Sequence, residues 1–234
     1  IPSPRPLPPP MSSSRFRPVK AYENTAFLNS PDARILRILS EYLEPQARFR
    51  DLAVRDTIVV FGSARAVSRE AAEEQLARAR SGDGDLARAE AALQLSEYYE
   101  AARELSRRLT EWSKSLTDQE RRFVIASGGG PGIMEAANRG ASEAKGVNIG
   151  LNISLPFEQE ENPWITRRLA FEFHYFFMRK FWYNDPAKAM VVMPGGFGTF
   201  DEFMETVTLV QTLKIKKRLP IVLFGTEYWN EIID

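Results

Sequence analysis

Two glycine-rich turns stand out as places where this chain could do chemistry: Ser127-Gly128-Gly129-Gly130-Pro131-Gly132 and Pro194-Gly195-Gly196-Phe197-Gly198-Thr199. Each follows an apolar run and opens an amphipathic one. Lacking Cβ atoms, such a turn lets the backbone come up against an anion, and the free amides at the positive end of a helix favour phosphate. The bland alternative is a tight turn and nothing more. Two such turns in one chain favour a phosphorylated ligand. Glu202 stands three residues beyond Thr199, with Asp201 beside it, so a carboxylate would lie near whatever the second turn holds. Thr199-x-x-Glu202 also has the spacing of a capping box. Arg179 and Lys180 lie in the preceding helical stretch, as cations for the same pocket or as solvated charges. His174, within an aromatic run, is expected to be a packing histidine, and the aromatics around it mostly core. Lys214, Lys216, Lys217 and Arg218 read as a basic cluster complementing a helix C-terminus.

The segments that must position these residues alternate in a βα rhythm. Ser30-Pro31 opens an N-terminal helix through Leu43, and Thr57–Phe61 is a β-branched run of the buried parallel type. Residues 66–116 form two Ala-, Arg- and Glu-rich helices broken at Ser81-Gly82-Asp83-Gly84, with a solvated face for their dense charge. Strands follow at 122–126, 147–151, 169–173, 189–193 and 220–224, with helices at 133–145, 175–184 and 199–214 and the start of another at Trp229. Apolar strands alternating with amphipathic helices imply a parallel, doubly wound sheet with helices on both faces, which binds ligands at the carboxyl ends of its strands. Residues 1–28, with seven prolines in the first twenty positions, read as a disordered Pro-rich tail. Residues 29–234 read as one domain that includes an N-terminal helical extension at 29–55 and the helical insert at 66–116.

Composition narrows the chemistry. With no cysteine and one histidine, thiol nucleophiles, disulfides and multi-His zinc sites are out of reach. Thirty-one Lys and Arg against 31 Asp and Glu name no nucleic-acid partner. No apolar run has signal-peptide or transmembrane length, so the expected compartment is cytoplasmic, with no membrane partner. The opening Ile suggests a trimmed start, with Met11 a candidate initiator. Neither glycine turn is a dinucleotide fingerprint, and neither ends in the Lys-Ser/Thr of an NTPase phosphate loop.

The segment PGGFGTFDE at 194–202 resembles the PGGxGTxxE signature of the LOG (Lonely Guy) family, often labelled lysine decarboxylase-like. SGGGPGIMEAANRGA at 127–141 resembles its first glycine motif, and FHYFFMRKFWY at 173–183 its Arg-Lys helix. The resemblance implies a Rossmann-like protein that hydrolyses the N-glycosidic bond of nucleoside 5′-monophosphates, cytokinin riboside monophosphates or AMP, without metal or other cofactor. It implies that Arg179 and Glu202 are the catalytic pair. The phosphate- and nucleotide-binding set would be Gly62, Ser63, Gly129, Gly130, Gly132, Lys180, Pro194, Gly195, Gly196, Gly198 and Thr199. It also implies self-association, as a dimer or larger. The N-terminal extension and helical insert resemble the family's longer class, and Ala64 stands where shorter members carry a second small hydroxyl residue. The alternative is a non-catalytic carrier of a phosphorylated ligand, like the molybdenum-cofactor carriers of the same fold. A pyridoxal-phosphate decarboxylase is disfavoured, because no pattern supports a Schiff-base lysine.

Overall fold

The computed structural model describes residues 17–116, 119–155 and 161–233. The chain divides into two compact units, residues 1–39 and 40–234. In the first, Asn24 caps the short helix α1 (Thr25–Leu28) by accepting the Phe27 amide. Helix α2 (Arg34–Asp51) begins in this unit and continues into the second. Arg37 bonds the Leu28 and Ser30 carbonyls at 2.6 and 2.7 Å, closing the first unit on itself. Part of the stretch expected to be tail is therefore helical, because Asn24 supplies a local cap that the proline count does not reveal. Residues 1–16 of that tail lie outside the described residues.

The second unit is a six-stranded, wholly parallel sheet in the order β4-β3-β2-β1-β5-β6. Its strands are β1 (Thr57–Phe61), β2 (Val124–Ser127), β3 (Asn148–Ile153), β4 (Ala170–Phe173), β5 (Ala187–Val192) and β6 (Ile221–Leu223). The helices of this unit beyond α2 are α3 (Arg69–Arg80), α4 (Leu86–Ser115), α5 (Ile133–Glu143), α6 (Phe176–Asn184), α7 (Phe197–Gln211) and α8 (Thr226–Asn230). All five residues of β1 are buried, as a central strand covered on both faces requires. Ile58 and Val60 pack with Tyr99 and Ala102 of α4 and Ile133, Ala137 and Ala141 of α5. Phe61 meets Tyr183 of α6 edge-on at 4.9 Å, and Phe49 of α2 packs against Phe171 and Trp182. The doubly wound expectation therefore holds, and the chain reverses direction across the sheet between β1 and β5. That reversal is the switch point at which such sheets open a crevice.

The charge-rich helices α3 and α4 have a second side. The charges of α4 are largely paired, Arg103 with Glu143 of α5 at 2.6 Å and Arg107 with Glu104 at 2.8 Å, while Tyr99 and Ala102 are core. Gly140 lets α4 and α5 cross closely, since a Cβ there would lie 1.9 Å from the Arg103 carbonyl oxygen. Lys217 differs from expectation. Helix α7 ends at Gln211, and Lys217 turns away to bond the Asn184 and Asp185 carbonyls at the end of α6. The neighbouring helix offered unsatisfied carbonyls within reach.

Because the contact at Gly140 is with backbone, which cannot yield as a side chain can, Gly140→Ala is expected to destabilise the fold by about 1–3 kcal/mol. A denaturant midpoint equal to that of the unsubstituted protein would refute the close crossing.

Candidate active site

Three βα turns meet at the carboxyl edge of the sheet, and Ser63 ties them together. Its amide donates to the Pro194 carbonyl at 2.9 Å, and its carbonyl accepts the Ile133 amide at 3.0 Å. Its hydroxyl accepts the Arg65 amide at 3.2 Å. Gly132, at φ +73°, allows this junction, because a Cβ there would lie 2.2 Å from the Ser63 oxygen. Above the junction opens a cavity of about 850 Å3. Gly62, Ser63, Arg179, Pro194, Gly195, Gly196, Gly198, Thr199 and Glu202 all line it.

The second turn is shaped as a cradle. Helix α7 starts at Phe197 with Gly196 as its N-cap, and the Gly196 carbonyl accepts the Thr199 and Phe200 amides at 3.0 and 3.1 Å. The amides of Phe197 and Gly198 have no acceptor among the described residues. A Cβ at Gly196 or Gly198 would meet nothing within 4 Å, so both face open space. Gly195 instead allows close packing, its Cβ position lying 2.2 Å from the Thr199 hydroxyl oxygen. The capping-box reading of Thr199 and Glu202 is overturned, because the helix begins two residues earlier than expected. Glu202 reaches across to Arg179 rather than back to Thr199.

Glu202 and Arg179 form the electrostatic centre. Their side chains are 4% and 14% exposed and meet at 3.4 Å. Glu202 Oε2 and Arg179 Nε are buried with no hydrogen-bond partner among the described residues. Burial pushes the Glu202 carboxyl up from 4.5 to about 7, with Arg179 and Lys180 pulling the other way. The guanidinium is held over the rings of Phe176 and Tyr183, at 5.1 and 5.5 Å from their centroids. Helix α6, which carries it, is anchored at its start by Glu41, whose carboxylate accepts the His174 and Tyr175 amides at 2.8 and 3.2 Å. Nothing in the sequence marks Glu41, which lies over 130 residues away from its partners.

Four expected residues do not line the cavity. Lys180 points to α7, bonding Asp201 at 2.8 Å and Glu205 at 2.6 Å. Burial opposes its charge, but those hydrogen bonds hold its pKa above the ordinary value. Gly129 and Gly130 turn their carbonyls to the buried Asn162 amide at 3.0 and 3.1 Å, and Gly132 serves the Ser63 junction. Gly128 takes their place in the lining. A buried network runs from Ser127 through Asn138 to Asn148 and Asn162, and it claims that turn's polar groups. His174 is exposed rather than packed, because strand alternation through Phe171 and Phe173 sends it outward. Phe176, Phe177 and Phe181 likewise remain exposed.

Sequence reasoning missed Tyr98, Asn152, Glu172 and Tyr228, which all line the cavity. Tyr98 comes from the helical insert, one position before the buried Tyr99. Tyr228 donates to the Gly195 carbonyl at 2.5 Å. Asn152, in the amide orientation that satisfies both of its atoms, donates to the Gly128 and Gly129 carbonyls at 3.0 and 3.2 Å. Among the described residues no helix is long and apolar enough to cross a membrane.

The sequence model of the family described as possible lysine decarboxylase matches residues 134–234. This bears out, over those residues, the LOG-family resemblance carried by PGGFGTFDE and the Arg-Lys helix. Among solved structures, the X-ray structure of TM1055 is 22% identical, with 76% of this chain and 98% of that chain covered and a TM-score of 0.46. The structure of the Moco carrier protein from Chlamydomonas reinhardtii is 19% identical, with 76% and 85% covered and a TM-score of 0.39. No curated protein matches the chain.

A carboxyl raised from 4.5 to about 7 binds its proton more tightly in the folded state than in the unfolded chain. Its contribution to stability is therefore complete below pH 4.5 and is lost as pH rises through about 7. Glu202→Gln, which carries no such charge, is expected to gain on the unsubstituted protein by on the order of 1–3 kcal/mol between pH 5 and pH 8. Denaturation at the two pH values checks this, and parallel pH dependence of the two proteins would exclude it.

Proposed function

We propose that this chain, whose residues 134–234 match the family model described as possible lysine decarboxylase, is a nucleoside 5′-monophosphate phosphoribohydrolase that releases free base and ribose 5-phosphate. The observation that carries the reading is the buried Arg179–Glu202 pair, each partner with one unsatisfied polar atom, beside a glycine cradle open to an anion. Buried polar groups left unpaired by the protein are groups that a ligand can satisfy.

Breaking a ribosyl C–N bond builds positive charge on the sugar ring, centred on C1′ and the ring oxygen. The Glu202 carboxylate, held where water does not compete, stabilises that charge and orients the water that adds to C1′. The water's oxygen forms the new bond to C1′, the bonding pair leaves with the base nitrogen, and a proton moves from the water to the base. Arg179, fixed between two aromatic rings, holds the sugar and phosphate in the reactive pose. The amides of Phe197 and Gly198 and the Thr199 hydroxyl receive the phosphate. These steps need an ionised Glu202, so kcat/KM for AMP is expected to climb as pH rises through about 7.

The substrates proposed are AMP and cytokinin riboside 5′-monophosphates. A carrier that only stores a phosphorylated ligand has no need of a buried, proton-tuned carboxylate beside the cradle, which favours turnover. Self-association is part of the proposal, supported by Phe177, Phe181 and Met204 left exposed on α6 and α7.

Chromatographic detection of free base from AMP and from isopentenyladenosine monophosphate tests the reading. Release is expected from the unsubstituted chain and a loss of about 100-fold or more in Glu202→Gln. A chain that binds AMP but releases no base from either nucleotide would be a carrier. Gly198→Ala separates cradle from scaffold. Its methyl group enters open space and favours the helix, so thermal stability is expected to hold or rise by up to about 1 kcal/mol, while AMP turnover falls at least tenfold. Undiminished turnover would remove the cradle from the site.

A further inference from the structure

The cavity is electrically lopsided. Among the described residues, the cations that line it are Arg179 and Arg65, and the carboxylates are Glu161, Glu172 and Glu202. Arg179 is matched by Glu202 at 3.4 Å, so that pair contributes little net field. Glu161 and Glu172 leave the far wall, beyond β3 and β4, negative. A phosphate monoester carries close to two negative charges near neutral pH. The start of α7 supplies the equivalent of about half a positive charge. Something further must balance the ligand.

Arg65 stands where that charge is needed. It follows β1 on the turn whose Ser63 amide is bonded to Pro194, and the Gly62 carbonyl carbon lies 3.1 Å from the Cβ position of Gly195. The Ser63 hydroxyl accepts the Arg65 amide, fixing the backbone from which its side chain departs. The side chain itself is exposed, and its guanidinium has no ion pair among the described residues. The arginines of α4 that pack beside α5 spend their charge on glutamates. Arg65 keeps its own facing the cavity.

We infer that Arg65 is the second jaw of the phosphate clamp, opposing the Gly196–Gly198 cradle across the β1/β5 crevice and setting the requirement for a 5′-phosphate. This deepens the phosphoribohydrolase reading and rests on it for the identity of the substrate. A planar guanidinium can take two phosphate oxygens at once, a task that neither Lys180, spent on Asp201 and Glu205, nor Ala64 can perform. The clamp also sets the ligand's direction. With the phosphate drawn to the β1/β5 end and repelled from Glu161 and Glu172, the base points toward Asn152 and Glu172 at the β3/β4 end.

Two measurements on the full chain test the clamp. Calorimetric titration with ribose 5-phosphate reads the phosphate end without requiring turnover. Arg65→Ala is expected to weaken binding about 10- to 100-fold and Arg65→Lys by less, and equal affinity in all three proteins would overturn the proposal. Kinetics with AMP and adenosine read the consequence. Arg65→Ala is expected to lower kcat/KM for AMP about 10- to 100-fold, mainly through KM, and to lower any base release from adenosine by much less. Equal loss on both substrates would assign Arg65 a merely structural role and overturn it. If the unsubstituted chain releases no base, the phosphoribohydrolase reading fails, and the ribose 5-phosphate titration still decides the role of Arg65.

Discussion

The site turns on keeping the Glu202 carboxylate out of water with Arg179 at ion-pair distance and Lys180 close enough to be felt. A buried carboxylate is costly unless paired and hydrogen-bonded, and here the pairing is incomplete: one oxygen meets Arg179 and the other has no hydrogen-bond partner among the described residues. That arrangement demands that α6 be pressed against α7. Lys180 bridging to Asp201 and Glu205 does part of this, and the Thr206 hydroxyl bonded to Asn184 at 2.9 Å does more. The start of α6 is in turn held by Glu41 from α2. The polar groups around Glu202 thus fall into two sets, those that lock the helices and those left free for a ligand.

The glycines divide in the same way. Gly132, Gly195 and Gly140 are small because backbone or a neighbouring side chain occupies the place a Cβ would take. Gly196 and Gly198 are small with nothing beside them, which is the condition for an external group to come close. The two turns look alike as sequence but do different work. The first is drawn into the Asn138–Asn162 network and forms a wall. The second is left open and forms the cradle.

The long helical insert has a role beyond solubility. Its charged side is balanced within α4 and against α5, while Tyr99 and Ala102 complete the core on that face of the sheet. Next to that core, Tyr98 reaches the cavity and packs near Gly225 and Pro194, so the insert forms part of the crevice wall.

The sequence by itself determined the order and type of the elements, because the periodicity of apolar residues and the glycine punctuation are local signals. All six strands lie at the apolar runs that marked them, and both turns lie at strand ends. It also singled out Arg179 and Glu202 along the chain, and the structure brings the two side chains to 3.4 Å of each other. The tertiary structure decided which of two adjacent cations faces the cavity. Arg179 and Lys180 differ by 100° around one helix, and only the position of α7 sends the first to the cavity and the second to Asp201 and Glu205. It decided equally that Asn162 would claim the first glycine turn, that Lys217 would cap a helix other than its own, and that Glu41 would hold α6. Each of these contacts joins residues far apart in sequence. Their partners are chosen by packing, which no window along the chain contains.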